Sequence, residues 1–248
     1  MARAVVLGCS HAAGSEMDED PELAADQSTV DFGYQHSYPV LVAQGLGYTA
    51  ENRSISGGSN DAVFRLFTEQ LAGLTSADIV IACWTGYNRT EIWHESEHVW
   101  LQLSPGRIGF NRVTPDDQAL SGWDSGFPVE DHSLYVDYQQ QWSLLNTGIE
   151  LGRLNKTKNI LALNTLAHAQ GIRVINIDSF APVTDVAWPS VVTWVYDQPF
   201  TDWAKNLQYP CAKHGHYFFA AHRAYADLIL DSISLGFIGQ PSLEIDPK

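Results

Sequence analysis

The run Ile79-Val-Ile-Ala-Cys-Trp84 constrains the fold more than any other stretch of this chain. It is a short, unbroken apolar run bounded by Asp78 and by the turn-forming pair Thr85-Gly86. That pattern describes a strand covered on both faces, as in a parallel sheet. Ala4-Val-Val-Leu7, ending in Gly8, and Ile172-Arg-Val-Ile-Asn-Ile-Asp178 read the same way. Thr49 to Ile55 is a weaker strand, closed by Ser56-Gly57-Gly58-Ser59-Asn60. Between these runs lie helical patterns. Tyr38 to Leu46 has Pro39 in its first turn and Gly47 as its stop. Asp61 to Leu74 carries Val63, Leu66, Phe67, Leu71 and Leu74 at helical spacing, with Ser59 or Asn60 as cap. Residues 134 to 171 read as two helices broken near Asn155-Lys156, and Tyr217 to Leu235 as a closing amphipathic helix.

Strands alternating with helices predict an α/β chain with a central parallel sheet and helices on both faces. One domain over residues 1–248 is expected, with irregular insertions near 15–37 and 100–131. Residues 189 to 202 fit neither pattern. With 45% apolar residues and only 17% charged ones, the chain has the composition of a packed domain.

Fourteen basic against 29 acidic residues give a formal net charge of -15. Such a surface repels phosphate backbones and anionic head groups, so neither nucleic acid nor membrane is expected as a partner. Glu16, Asp18, Glu19, Asp20, Glu22, Asp26 and Asp31 crowd one stretch. That stretch is either a solvated loop or one that shapes a site mouth or coordinates a cation. Cys9, Cys83 and Cys211 are far apart and odd in number, which argues against a disulfide framework. The apolar run Ala4 to Leu7 is shorter than a signal-peptide core, and no run reaches bilayer length.

In open parallel sheets, ligands bind beyond the carboxyl ends of the strands. Three such ends carry small or polar groups: Gly8-Cys9-Ser10, Ser56-Gly57-Gly58-Ser59-Asn60, and Thr85-Gly86-Tyr87-Asn88-Arg89. They offer a hydroxyl nucleophile, glycine amides and an Asn donor. Acyl transfer needs that set together with a base. A rival motif is His94-Glu95-Ser96-Glu97-His98, a literal H-E-x-x-H. On a helix it would offer His94 and His98 to zinc, with Glu95 as general base. Glu97 and the nearby break at Pro105-Gly106 argue instead for a solvated, Trp-flanked surface helix without metal.

The strand-end motifs resemble the SGNH (GDSL-type) hydrolase superfamily, in particular its divergent tailed-bacteriophage members. Gly8-Cys9-Ser10-His11-Ala12-Ala13-Gly14 resembles the first block, with Cys9 where Asp is usual. Asn52-Arg-Ser-Ile-Ser-Gly57-Gly58-Ser59-Asn60 resembles the second, whose glycine supplies an oxyanion-hole amide. Trp84 to Glu91 falls where the third block sits, without the familiar Gly-X-Asn-Asp. The resemblance implies a flavodoxin-like three-layer α/β/α sandwich. It also implies a serine esterase, with carbohydrate O-deacetylation as one activity, that needs no cofactor.

Carried over by position, Ser10 is the nucleophile, His216 the base, and Gly57 and Asn88 the oxyanion donors. His214 is the competing base. Lys213 stands where the family's acid would be, so Asp202 or another carboxylate must orient the imidazole. Arg89 and Glu91 are further candidates for a local role, and His222 is read as structural. A small-molecule or glycan ester is the expected substrate, and host cytoplasm or virion the expected location. The altered blocks leave a second expectation, an SGNH-like phage structural or binding protein with little turnover.

Overall fold

Strand β3 (Ile79–Trp84) is buried along its whole length and forms the centre of the sheet. It pairs in parallel with β1 (Arg3–Leu7) on one side and β8 (Arg173–Asp178) on the other. Strand β2 (Thr49–Asn52) pairs in parallel with β1, giving the order β2-β1-β3-β8. The computed structural model describes residues 2–23, 30–95, 99–103, 111–113, 119–120, 149–183, 186–195 and 198–235.

Successive strand residues face opposite ways, which sorts the core into two clusters. Ala4, Val6, Ile79, Ile81, Cys83 and Ile175 pack under α3 (Tyr38–Gly45) and α7 (Phe219–Ser234). Val5, Leu7, Val80, Ala82 and Trp84 pack under α4 (Asn60–Leu71) and α5 (Ile149–Ala169). The chain is therefore an α/β protein whose four-strand parallel sheet is flanked by helices. Parallel pairing puts all four carboxyl ends on one edge, and the strand order reverses between β1 and β3. Gly8 to Ser10 lies at that reversal, where open α/β sheets leave a crevice.

Several sequence expectations are corrected here. Residues 149 to 169 form one helix, and Asn155-Lys156 does not break it. Those polar side chains have partners across the packing face: Asn155 Nδ2 donates to Asp61 Oδ1 at 2.8 Å, and Lys156 pairs with Asp178. The part of that span from 134 to 148 lies outside the described residues. The insertion near 15–37 is not irregular throughout, because it includes a 3-10 turn (Met17–Glu19) and helix α2 (Val30–His36).

The described residues of the second insertion are strands rather than irregular chain, and they belong to a sheet that begins before it. β4 (Thr90–His94), β5 (Val99–Leu103), β6 (Asn111–Val113) and β7 (Ala119–Leu120) form an antiparallel sheet in sequence order. The surface helix expected around His94 is thus a strand end. The ambiguous 189–202 segment runs beside β8, with Asn176 N donating to Thr193 O at 3.1 Å, before α6 (Phe200–Asn206) begins. No helix among the described residues is long and apolar enough to cross a membrane.

Candidate active site

The turn after β1 is built by close approach. A Cβ on Gly8 would lie 2.5 Å from Ala12 Cβ and 2.9 Å from Cys83 Cβ, so only glycine fits between β3 and the next helix. That helix, α1 (Ser10–Ala13), opens with Ser10, which is 4% exposed. Gly8 O accepts the Ile55 N–H at 3.0 Å, tying this turn to the one after β2. A Cβ on Gly58 would lie 2.8 Å from Ile55 O and 3.1 Å from Gly8 O. Gly57 beside it has φ +76°, a backbone conformation that favours glycine.

The turn after β3 joins through Asn60, which the sequence marked only as a helix cap. Thr85 N donates to Asn60 Oδ1 at 2.9 Å, while Asn60 Nδ2 donates to Gly86 O at 3.1 Å. The α4 cap is Ser59, whose Oγ accepts the Ala62 N–H at 3.1 Å. Thus the three strand-end turns are stitched into one edge. Asn88 is exposed, and its Oδ1 lies 3.3 Å from where a Gly86 Cβ would stand. The Arg89 guanidinium sits 5.1 Å from the Phe180 ring, and Phe180 packs 4.9 Å from the His11 ring. Glu91 points elsewhere. Arg65 Nε donates to it at 2.9 Å and Gln102 Nε2 at 2.7 Å, so it holds α4 to the second sheet. Burial pushes the Glu91 carboxyl up, against the opposing pull of Arg65.

The histidines come from the hairpin before α7. Ala212 N donates to His216 O at 2.8 Å, and Gly215 turns the chain at φ +85°. His216 is largely buried, and its ring lies 4.9 Å from that of His11, the residue after Ser10. The candidate nucleophile and base, more than 200 positions apart, are therefore in one neighbourhood.

Their acidic partner was not legible in the sequence by position. His216 Nδ1 donates to Glu16 Oε2 at 2.8 Å, and His214 Nδ1 bonds Glu16 Oε1. Burial works against ionisation of Glu16, but the bonds from His216 and His214 outweigh it and hold the carboxyl below its usual value. Asp202, the acid named from sequence, instead lies exposed in the first turn of α6. The acidic stretch is accordingly more than a solvated loop: Glu16 and Asp20 both bind the chain around residues 214–219.

His222, read from the sequence as structural, packs against the rings of Tyr38 and Phe200. It is 1% exposed and its Nδ1 accepts the Tyr38 N–H at 3.1 Å. Burial, reinforced by nearby His216, pulls its pKa down to about 3, so the ring is neutral. A second buried polar pair went unread in the sequence. Lys156 Nζ donates to Asp178 Oδ1 and to Ala181 O, the latter at 2.6 Å.

His94 and Glu95 of the H-E-x-x-H motif do not lie on a helix. His94 is the last residue of β4 and pairs in register with Val99, while His98 lies outside the described residues. Bringing the two imidazoles together at i and i+4 needs a helical turn, and His94 does not start one. Among the described residues, no group of three His, Cys, Asp or Glu side chains could hold a metal ion. Comparison with family models, with curated proteins and with solved structures returned no match to this chain.

Proposed function

We propose that this chain is a serine hydrolase of the SGNH type, a flavodoxin-like three-layer α/β/α sandwich that cleaves carboxylic esters. O-acetyl groups on glycans are the substrate class we favour. One observation carries the reading: His216 reaches the residue beside Ser10 while its Nδ1 is held on a carboxylate. Donation from Nδ1 leaves Nε2 as the acceptor a general base needs. The sheet order β2-β1-β3-β8, with Ser10 at the β1/β3 reversal, agrees with a flavodoxin-like site.

In this scheme Ser10 Oγ attacks the ester carbonyl carbon as its proton passes to His216 Nε2. The oxyanion takes hydrogen bonds from the backbone N–H groups of Ser10 and Gly57 and from the Asn88 amide. Collapse expels the alcohol, which leaves with the proton from His216. Water, deprotonated by His216, then attacks the acyl-serine, and collapse releases the acid as His216 returns the proton to Ser10 Oγ. The scheme requires no cofactor.

A second reading is favoured by the burial of Ser10 and the exposed position of Asn88. Both suit an SGNH-like fold used by a virion structural or binding protein with little turnover. Labelling with a serine-directed fluorophosphonate, followed by peptide mapping, separates the two. A single adduct on Ser10, absent in Ser10→Ala and slowed in His216→Gln, is expected. A folded chain that takes no label at Ser10 sinks the hydrolase reading.

A further inference from the structure

We infer that Glu16 is the positioning residue of His216, replacing the acid that Lys213 displaces, and that it holds His214 on its second oxygen. The catalytic consequence rests on the hydrolase reading above; the geometry does not. Ionised Glu16 can only accept, so the imidazole nitrogen facing it carries the proton. That bond fixes both the tautomer and the ring plane of His216, the task an orienting carboxylate performs for a general base.

Three features show how the carboxylate is delivered. Glu16 is a non-glycine residue at φ 61°, a conformation that persists only where the surroundings enforce it. The surroundings do so from both sides. Ser15 N donates to Ser10 O at 2.9 Å, Met17 is fully buried, and Asp20 Oδ2 accepts the Phe219 N–H at 3.1 Å. Across from it, Gly215 at φ +85° lies between His214 and His216, and the two ring Nδ1 atoms meet the two oxygens of one carboxylate.

Three other carboxylates among the described residues have other partners or positions. Asp20 caps α7, Asp178 pairs with Lys156, and Asp202 is exposed. Nucleophile and orienting acid thus come from one short segment, residues 10 to 16, and the base from the far end of the chain. The imidazoles around His216 are His11, His214 and buried His222.

Proton NMR of the full chain tests this directly. An imidazole N–H bonded to a carboxylate gives a downfield, slowly exchanging resonance. We expect one in the wild type that is lost in His216→Gln, kept in His214→Gln and lost or moved upfield in Glu16→Gln, whose amide oxygen is a weaker acceptor than a carboxylate. Fluorophosphonate labelling of Glu16→Gln is expected to slow by about tenfold or more. Glu16→Asp, which keeps the charge on a shorter stem, is expected to restore part of both signals. It also serves as the test if Glu16→Gln does not fold, since an unchanged resonance and rate in Glu16→Asp overturn the inference. A resonance that stays unshifted in Glu16→Gln overturns it too, as does its loss with labelling unchanged. A wild type that shows the Glu16-dependent resonance but never labels at Ser10 upholds the geometry and sinks the hydrolase reading alone.

Discussion

Asp20 Oδ2 accepts the backbone N–H of Phe219 at 3.1 Å, so a carboxylate in the first loop caps the last helix. The first N–H groups of a helix have no partner within it, and a carboxylate there also meets the positive end of the helix dipole. We predict that Asp20→Ala lowers stability by about 1 kcal/mol, seen as a lower urea midpoint with an unchanged slope. Asp20→Asn, which keeps an acceptor oxygen, loses less. An Asp20→Ala midpoint equal to wild type removes the cap from this account.

The Lys156–Asp178 pair gives a larger effect of a different kind. Both side chains are buried, and burial raises the Asp178 carboxyl to about 6 even though Lys156 opposes the shift. Removing one partner strands the other charge, so Lys156→Met is expected to cost about 3–5 kcal/mol. Adding Asp178→Asn to it should recover part of that loss, because no charge is then left unpaired. A double-variant cycle measures the coupling, and strictly additive losses would contradict it.

His222 makes stability depend on pH. The unfolded imidazole titrates near its ordinary value of about 6.5, but the folded one only at about 3. Between those values the unfolded chain binds a proton that the folded chain refuses. The contribution of His222 is therefore fully present above pH 6.5 and is lost as pH falls toward 3. The loss has a slope of up to about 1.4 kcal/mol per pH unit. Denaturant titrations at pH 7 and pH 5 should show it. His222→Asn keeps an acceptor for Tyr38 N without the titration, so its stability should change less between the two values.

Five of the elements read correctly from sequence share one property. In β1, β3 and β8 burial on both faces leaves near-continuous apolar runs, and in α4 and α7 one buried stripe leaves a helical period. The misread elements lack such a local signature. Helix α2 holds Gly33 at its centre, a poor helix former, kept where a Cβ would lie 2.3 Å from Gly14 O. Strand β4 places Glu91 inward, where bonds from Arg65 on α4 and Gln102 on β5 make burial of a carboxylate tolerable. The polar 155–156 dipeptide looked like a break because its partners, Asp61 and Asp178, lie on other elements.

The same division runs through the candidate site. Local chemistry determined the glycine turns at 8 and 57, the strand ends that carry them, and the helix that follows His216, since each depends on neighbours within a few positions. Sequence order also determined that a parallel sheet would gather those strand ends on one edge. Only the tertiary structure decided which carboxylate meets His216. A hydrogen bond between residues 16 and 216 depends on how two loops pack, and nothing in the spacing along the chain records that. Packing chose Glu16 over Asp202, set Asp20 beneath the last helix, and turned an acidic stretch into part of the site.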